Sequence, residues 1–286
     1  MIWTTELKDS LMTATQAPLV IKPIGRHVGA EVFGFRGVDD NEEQFEQLRK
    51  AFLDYSVLVL RGVDLTPEQH VTYSKNFGVT IVHPTASNDK FVPELREVLI
   101  VAPQEKTGYF VEGERWHSDL SCMDAPPKAS HLLARVLPSI GGDTMFASGY
   151  AIYESLSKPL QSFLETLRAE HIGANYRKSY LTTDDGPKAV HPVVVTHPET
   201  GRKSIFVNPI FTTRIMELRG DESDALLNVI FQKMNLAEFQ CRVRWEPGSM
   251  TMWDNRCTFH RALNDYLPAK RLMHRTTLEG IKPVLQ

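Results

Sequence analysis

The chain has 286 residues, 42% of them hydrophobic and 23% charged, with a formal net charge of -3. That length buries a full core, and the near-average balance excludes disordered and fibrous classes. The absence of a basic stripe or zinc-finger spacing argues against nucleic acid as a partner, and no apolar run approaches the roughly 20 residues of a membrane span.

Residues 1–17 are polar without a sustained period and read as an N-terminal extension. Residues 18–286 read as one domain, because no repeat, low-complexity segment or Pro/Gly/Ser linker divides them. Two short β runs, LVIKPI and AEVFGF, come first. Phe45, Leu48, Phe52 and Leu53 then share one face of a helix, with Asp39, Asp40 and Asn41 before it as capping candidates. SVLVLRG (56–62) is too short and too rich in β-formers for a helix and predicts a buried central strand. Thr66 and Pro67 mark the start of a second helix that ends near Gly78. EVLIVAP (97–103) predicts a strand between polar segments, NDKFVPELR and QEKTGYFVEGER, that read as loops over a site. KASHLLARVLP and GGDTMFAS predict strands, and 150–167 predicts helix restarting at Pro159. Residues 181–192 read as a loop, HPVVVTHPETGRKSIFVN as a hairpin turning at Glu199, Thr200 and Gly201, and 222–234 as the last helix. The expected class is mostly β with inserted helices, a sandwich or jelly roll. Cys122, Cys241 and Cys257 lack metal-ligand spacing and read as buried, reduced thiols of a cytoplasmic protein.

Near the C-terminus, TFHRAL and RLMHRTTL flank a loop rich in Asn, Asp and Pro and read as a hairpin-like return. Arg271, Met273, Arg275 and Thr277 alternate onto one side of the second run, with His274 on the other. Two guanidiniums on a core-type face imply a bound carboxylate, phosphate or sulfonate, or internal acidic partners. In RWHSDLSC, His117 and Asp119 are two residues apart, which on a strand puts both on one face with Cα atoms about 6.6 Å apart. Such a pair is weak by itself and often a simple hydrogen-bonded couple. With a third, distant histidine it forms two imidazoles and one carboxylate, the donor set of non-heme Fe(II) with open positions, and His260 is the candidate. A chelating 2-oxo acid on the open face needs a cation for its far carboxylate; Arg271 suits it, and the Thr144 hydroxyl could add a hydrogen bond. His131, His171, His191 and His197 lack partners at ligand spacing and read as core or surface residues.

WHSD, GGDT, WDNRCTFH and RLMHRTTLEG, with SVLVLRG, GRKSIFVN, FTTRI and CRVRW, resemble the taurine dioxygenase family, which includes aryloxyalkanoate dioxygenases, from about Leu19 onward. The resemblance implies a double-stranded β-helix and an enzyme using Fe(II), 2-oxoglutarate and O2. It implies His117, Asp119 and His260 as metal ligands, Arg271 and Thr144 at the 2-oxoglutarate carboxylate, and Arg275 at an anionic group of the substrate. Self-association into a homo-oligomer is also expected from it. His83 falls where the taurine branch contacts sulfonate, and Lys178 could add a second cation. The chain departs from that branch at Ala86 and Gly113, where a tyrosine and an asparagine are expected. Tyr109, Phe110, Tyr180 and Phe206 could line a larger, more apolar pocket, so an organic acid or sulfonate larger than taurine is expected. Taurine itself is the alternative substrate. A zinc or manganese hydrolase on the same barrel and a non-catalytic cupin-like binding protein are alternatives of other classes.

Overall fold

The computed structural model describes residues 19–35, 37–38, 42–102, 113–173 and 186–286. The expected capping residues Asp39, Asp40 and Asn41, most of the segment after Pro103, and the boundary at residue 18 lie outside that set.

Two antiparallel sheets carry the architecture. Among the described residues the larger has nine strands, in the order Val20–Pro23, Ala30–Phe33, Val57–Leu60, Met250–Asp254, Ala129–Val136, Leu272–Leu278, Leu95–Val101 and Phe91–Val92, with Thr80–Ile81 also on Leu272–Leu278. Among the described residues, only Ala30–Phe33 beside Val57–Leu60 is a parallel pair. The smaller sheet orders Gln240–Val243, Thr144–Ser148 and Thr258–Ala262. This is the mostly β jelly roll with inserted helices that the sequence predicts.

The run VLVL is continuous because both faces of its strand are covered. Val57 and Val59 point toward the smaller sheet and pack in a cluster with Phe146, Trp253 and Met273. Leu58 and Leu60 point the other way, into a cluster with Phe45, Leu48 and Phe52 from the helix Glu42–Tyr55 and Tyr73 from the helix Pro67–Lys75. Alternation along a strand thus builds two cores from one apolar run. The second helix starts as expected: Thr66 accepts from the Gln69 backbone, the Gln69 side chain accepts from the Thr66 backbone, and Pro67 needs no donor there. On the smaller sheet, Phe146 and His260 face inward, while Ala147 and Phe259 join Ile152, Leu164 and Ile230 on the outer side.

Four expectations change. TFHRAL and RLMHRTTL do not form a hairpin: Thr258–Ala262 belongs to the smaller sheet and Leu272–Leu278 to the larger, so the loop between them crosses the sandwich. NDKFVPELR is not an open loop but a short 3-10 turn and strand, Phe91–Val92, folded back on Leu95–Val101. Within 181–192, Lys188–Pro192 is a strand on Arg168–Ile172. His117 and Asp119 do not lie on one strand: His117 makes a single β-bridge, and Asp119 follows in a turn that passes through Leu120 with φ +48°.

Two of the buried histidines, His131 and His171, are core residues. His131 accepts or donates to the Ser74 hydroxyl at 2.8 Å, and His171 is 3.0 Å from the Ser121 hydroxyl. Burial pushes both imidazoles down from 6.5 to about 3. On acidification the unfolded chain therefore takes up these protons first. The stability they support is complete above pH 6.5 and is lost as the pH falls toward 3. Between pH 7.5 and 4.5 the two groups together remove on the order of 5 kcal/mol, a large part of a typical domain's stability. Urea unfolding at both pH values checks this; a free energy unchanged between them contradicts it.

Candidate metal centre

A strand bridge brings His117 and His260 together. The His117 amide donates to the His260 carbonyl at 3.0 Å, and the His260 amide donates to the His117 carbonyl at 2.8 Å. Residues so paired have neighbouring side chains, and the ring centroids are 4.1 Å apart. The turn after His117 then brings Asp119 to both rings: its Oδ1 is 3.9 Å from His117 Nε2 and 3.8 Å from His260 Nε2. Two donors on a common ion, each about 2.1 Å away, can be at most about 4.2 Å apart, so each carboxylate-imidazole pair is within range of one cation.

The protonation chemistry fits. His117 Nδ1 lies 2.9 Å from the Arg115 carbonyl, an acceptor, so Nδ1 carries a hydrogen and Nε2 is the nitrogen that faces Asp119. Burial, with His117 alongside, holds His260 well below its ordinary value, as a neutral imidazole. Burial alone would raise the Asp119 carboxyl, but Arg275, the two histidines and the Ser130 hydroxyl outweigh it and keep the group ionised. The Trp253 ring packs on His260 at 4.7 Å.

A second buried group, His197, Asp254 and Cys257, has similar donor spacing, but its lone pairs are committed. His197 Nδ1 accepts from the Glu199 and Thr200 amides, so Nε2 carries the hydrogen toward Asp254 at 3.0 Å. Arg256 donates to both oxygens of Asp254, and burial raises the Cys257 thiol far above its ordinary value. That cluster is a structural network.

Two guanidiniums flank the candidate centre. Arg271 is 6% exposed; its Nε donates to the Gly142 carbonyl at 3.1 Å, and its Nη2 has no hydrogen-bond partner among the described residues. Burial pulls Arg271 below its ordinary value, opposed by Tyr266 and Asp143. A desolvated guanidinium with an unmade hydrogen bond favours an anionic partner. Gly142 makes room for it: at φ +73°, its missing Cβ would sit 3.1 Å from Arg271 Cδ. Thr144 accepts from the Trp245 indole at 3.1 Å, so its own hydrogen remains to donate. Arg275 donates to Asp119 Oδ1 at 3.2 Å, and its Nε lacks a partner among the described residues.

All six of these residues, His117, Asp119, His260, Thr144, Arg271 and Arg275, line one cavity, together with His83. Phe206 does not line it. Its ring packs against His171 at 5.9 Å and His191 at 5.5 Å, on the far side of the wall. Tyr109, Phe110, Lys178 and Tyr180 lie outside the described residues. The apolar wall comes instead from Leu99, Val101, Leu120, Leu132 and Phe211, which the sequence did not single out. Cys122 also lines the cavity, which its reading as an ordinary core thiol did not anticipate. Gly113 stands over the centre at φ +82°, and a Cβ there would meet His117 Cε1 at 3.0 Å. The absence of a side chain keeps the approach to the histidines open.

Comparisons with known proteins point to one family. The family described as "Taurine catabolism dioxygenase TauD, TfdA family" matches residues 20–277. An alkylsulfatase of Acinetobacter baylyi is 31% identical, with 94% of this chain and 87% of that one covered. The (S)-phenoxypropionate/alpha-ketoglutarate-dioxygenase of Sphingobium herbicidovorans is also 31% identical, over 91% of this chain and 94% of its own. Among solved structures, a taurine dioxygenase from Burkholderia xenovorans superposes with a TM-score of 0.80 at 34% identity, covering 94% of this chain and 93% of that one. With a family match across most of its length, the chain belongs to the TauD, TfdA family of Fe(II)- and 2-oxoglutarate-dependent dioxygenases.

Proposed function

We propose that the protein hydroxylates or oxidatively cleaves a small anionic organic substrate larger than taurine, an organic acid, sulfonate or sulfate ester. His117, Asp119 and His260 hold Fe(II) in this reading, Arg271 and Thr144 hold the distal carboxylate of 2-oxoglutarate, and Arg275 with His83 holds the substrate's anionic group. The observation that carries it is the meeting, in one cavity, of two imidazoles and one carboxylate with two largely buried arginines that keep unmade hydrogen bonds. A hydrolase at the same triad leaves the Arg271 cation without a purpose. Relatives named for an alkyl sulfate, a phenoxypropionate and taurine span three head groups, all anionic. We further propose that the enzyme works in the cytoplasm as a homo-oligomer; no helix among the described residues is long and apolar enough to cross a membrane.

Iron bound here supplies O2 activation coupled to decarboxylation of 2-oxoglutarate to succinate and CO2, which yields the oxidant for a substrate C–H bond. The chain's own residues do the positioning. Arg271 offers the fork geometry that suits a carboxylate, and the Thr144 hydroxyl donates beside it. Arg275 lies 3.2 Å from a metal-facing oxygen, so an anion held by its far edge has its neighbouring carbons near the centre. Leu99, Leu132 and Phe211 give that region an apolar wall that fits an apolar body. Gly113 in place of a hydrogen-bonding side chain favours bulk over the small, polar taurine molecule.

Removing a buried charged partner costs about 2–5 kcal/mol. Arg271→Ala is therefore expected to weaken 2-oxoglutarate binding by about thirtyfold or more, read by calorimetric titration of the Mn(II) protein; an unchanged affinity contradicts the assignment. Succinate release is expected to rise with C6 to C12 alkyl sulfates, alkyl sulfonates or aryloxyalkanoic acids, and not with neutral alcohols of the same length. Arg275→Ala lowers kcat/KM for the responding acid by about a hundredfold. Stimulation by taurine above every larger acid selects the smaller substrate, and equal response to neutral compounds rejects Arg275 as the anion site.

A further inference from the structure

Asp119 is held from behind by a directional chain of hydrogen bonds that begins at Asn255, a side chain only 2% exposed. The Trp253 indole N–H and the Asp119 main-chain N–H, both obligate donors, face the same atom of the Asn255 amide at 2.9 and 3.3 Å. That atom is therefore the oxygen, and the amide's other end is the NH2 group. This NH2 donates to Ser130 Oγ at 3.2 Å. Ser130, fully buried, then has a single hydrogen left, and Asp119 Oδ2 stands 2.7 Å from its oxygen. The Asn255 main-chain carbonyl accepts from Ser118 Oγ at 2.6 Å, tying down the residue between His117 and Asp119.

We propose that Ser130 and Asn255 are positioning residues that keep Asp119 a one-oxygen ligand, with Oδ1 on the ion and Oδ2 on Ser130. The proposal rests on the metal site proposed above. Its consequence is a coordination count. Two imidazoles and one carboxylate oxygen leave three of six positions, which a two-point 2-oxo acid and O2 fill. A carboxylate bound through both oxygens takes one of those positions. Without the Ser130 hydrogen, nothing among the described residues holds Oδ2 off the ion, since the charged donor, Arg275, is on Oδ1.

Nitric oxide is a suitable probe because it takes the O2 position on Fe(II) and gives an electron paramagnetic resonance signal without turnover. Ser130→Ala is expected to bind Fe(II) and 2-oxoglutarate within about threefold of wild type, since two positions remain for the two-point acid, and to bind nitric oxide on that complex at least about tenfold more weakly. Ser130→Thr, which retains the hydroxyl, is expected to restore nitric oxide binding. A Ser130→Ala protein that binds nitric oxide with wild-type affinity overturns the proposal. If anaerobic wild type binds no Fe(II), the metal site itself falls and this inference with it; wild-type binding with no effect of Ser130→Ala rejects the inference alone. A crystal structure of the wild-type Mn(II) protein decides the matter should the variants not fold. One Asp119 oxygen on the metal and the other on Ser130 supports the proposal, and two oxygens on the metal overturns it.

Discussion

The site depends on a two-hydrogen-bond bridge between His117 and His260. The backbone of a turn segment is pinned to an inner-facing position of the smaller sheet, and two imidazoles distant in sequence become neighbours. Their direction is then fixed from both sides. The Arg115 carbonyl sets the tautomer of one ring, and Trp253 and Phe146 pack the other. Asp119 follows because the chain turns back through a residue at positive φ, a conformation costly for leucine, immediately beside the metal-binding candidates. Such strain is expected where a geometry has to be held rather than merely packed.

Charge accounts for the rest of the cavity. One ionised carboxylate sits between two imidazoles, of which burial holds His260 neutral, and two guanidiniums stand within the same walls. Arg275 is partly compensated by Asp119, whereas Arg271 leans on a backbone carbonyl and two aromatic rings, at 5.7 Å from Trp245 and 6.0 Å from Tyr266. Buried cations held by so few acceptors destabilise an empty cavity and stabilise one filled with anions. The same chain that binds a dianionic co-substrate thus suits an anionic substrate, and the apolar side of the cavity selects the remainder of that molecule.

Much of this was legible in the sequence where a single physical rule governs a segment. SVLVLRG read as a buried central strand from its length and β-formers, and Thr66 with Pro67 marked the helix start, to which the structure adds Gln69. The metal-binding candidates were legible because few side chains offer that donor set, and because motifs accompany them. The path between Ala262 and Arg271 was not, since a loop linking two β runs reads alike whether it returns within one sheet or crosses to the other. Lys188–Pro192 was hidden because its inward positions include a polar histidine, His191, in place of an apolar residue. Phe206 shows the limit for aromatics: sequence indicates burial but not which side of a wall the ring occupies. Ser130 gave no signal at all, being one small polar residue in an apolar run.

The most direct test of the account is anaerobic difference absorption of the wild-type protein with Fe(II) and 2-oxoglutarate, beside a His260→Ala protein treated identically. A weak visible charge-transfer band from the chelate is expected in wild type, absent without His260 and perturbed when an anionic substrate binds. Normal iron binding by wild type with no such band contradicts it, and returns the site to a hydrolytic metal centre or a binding protein.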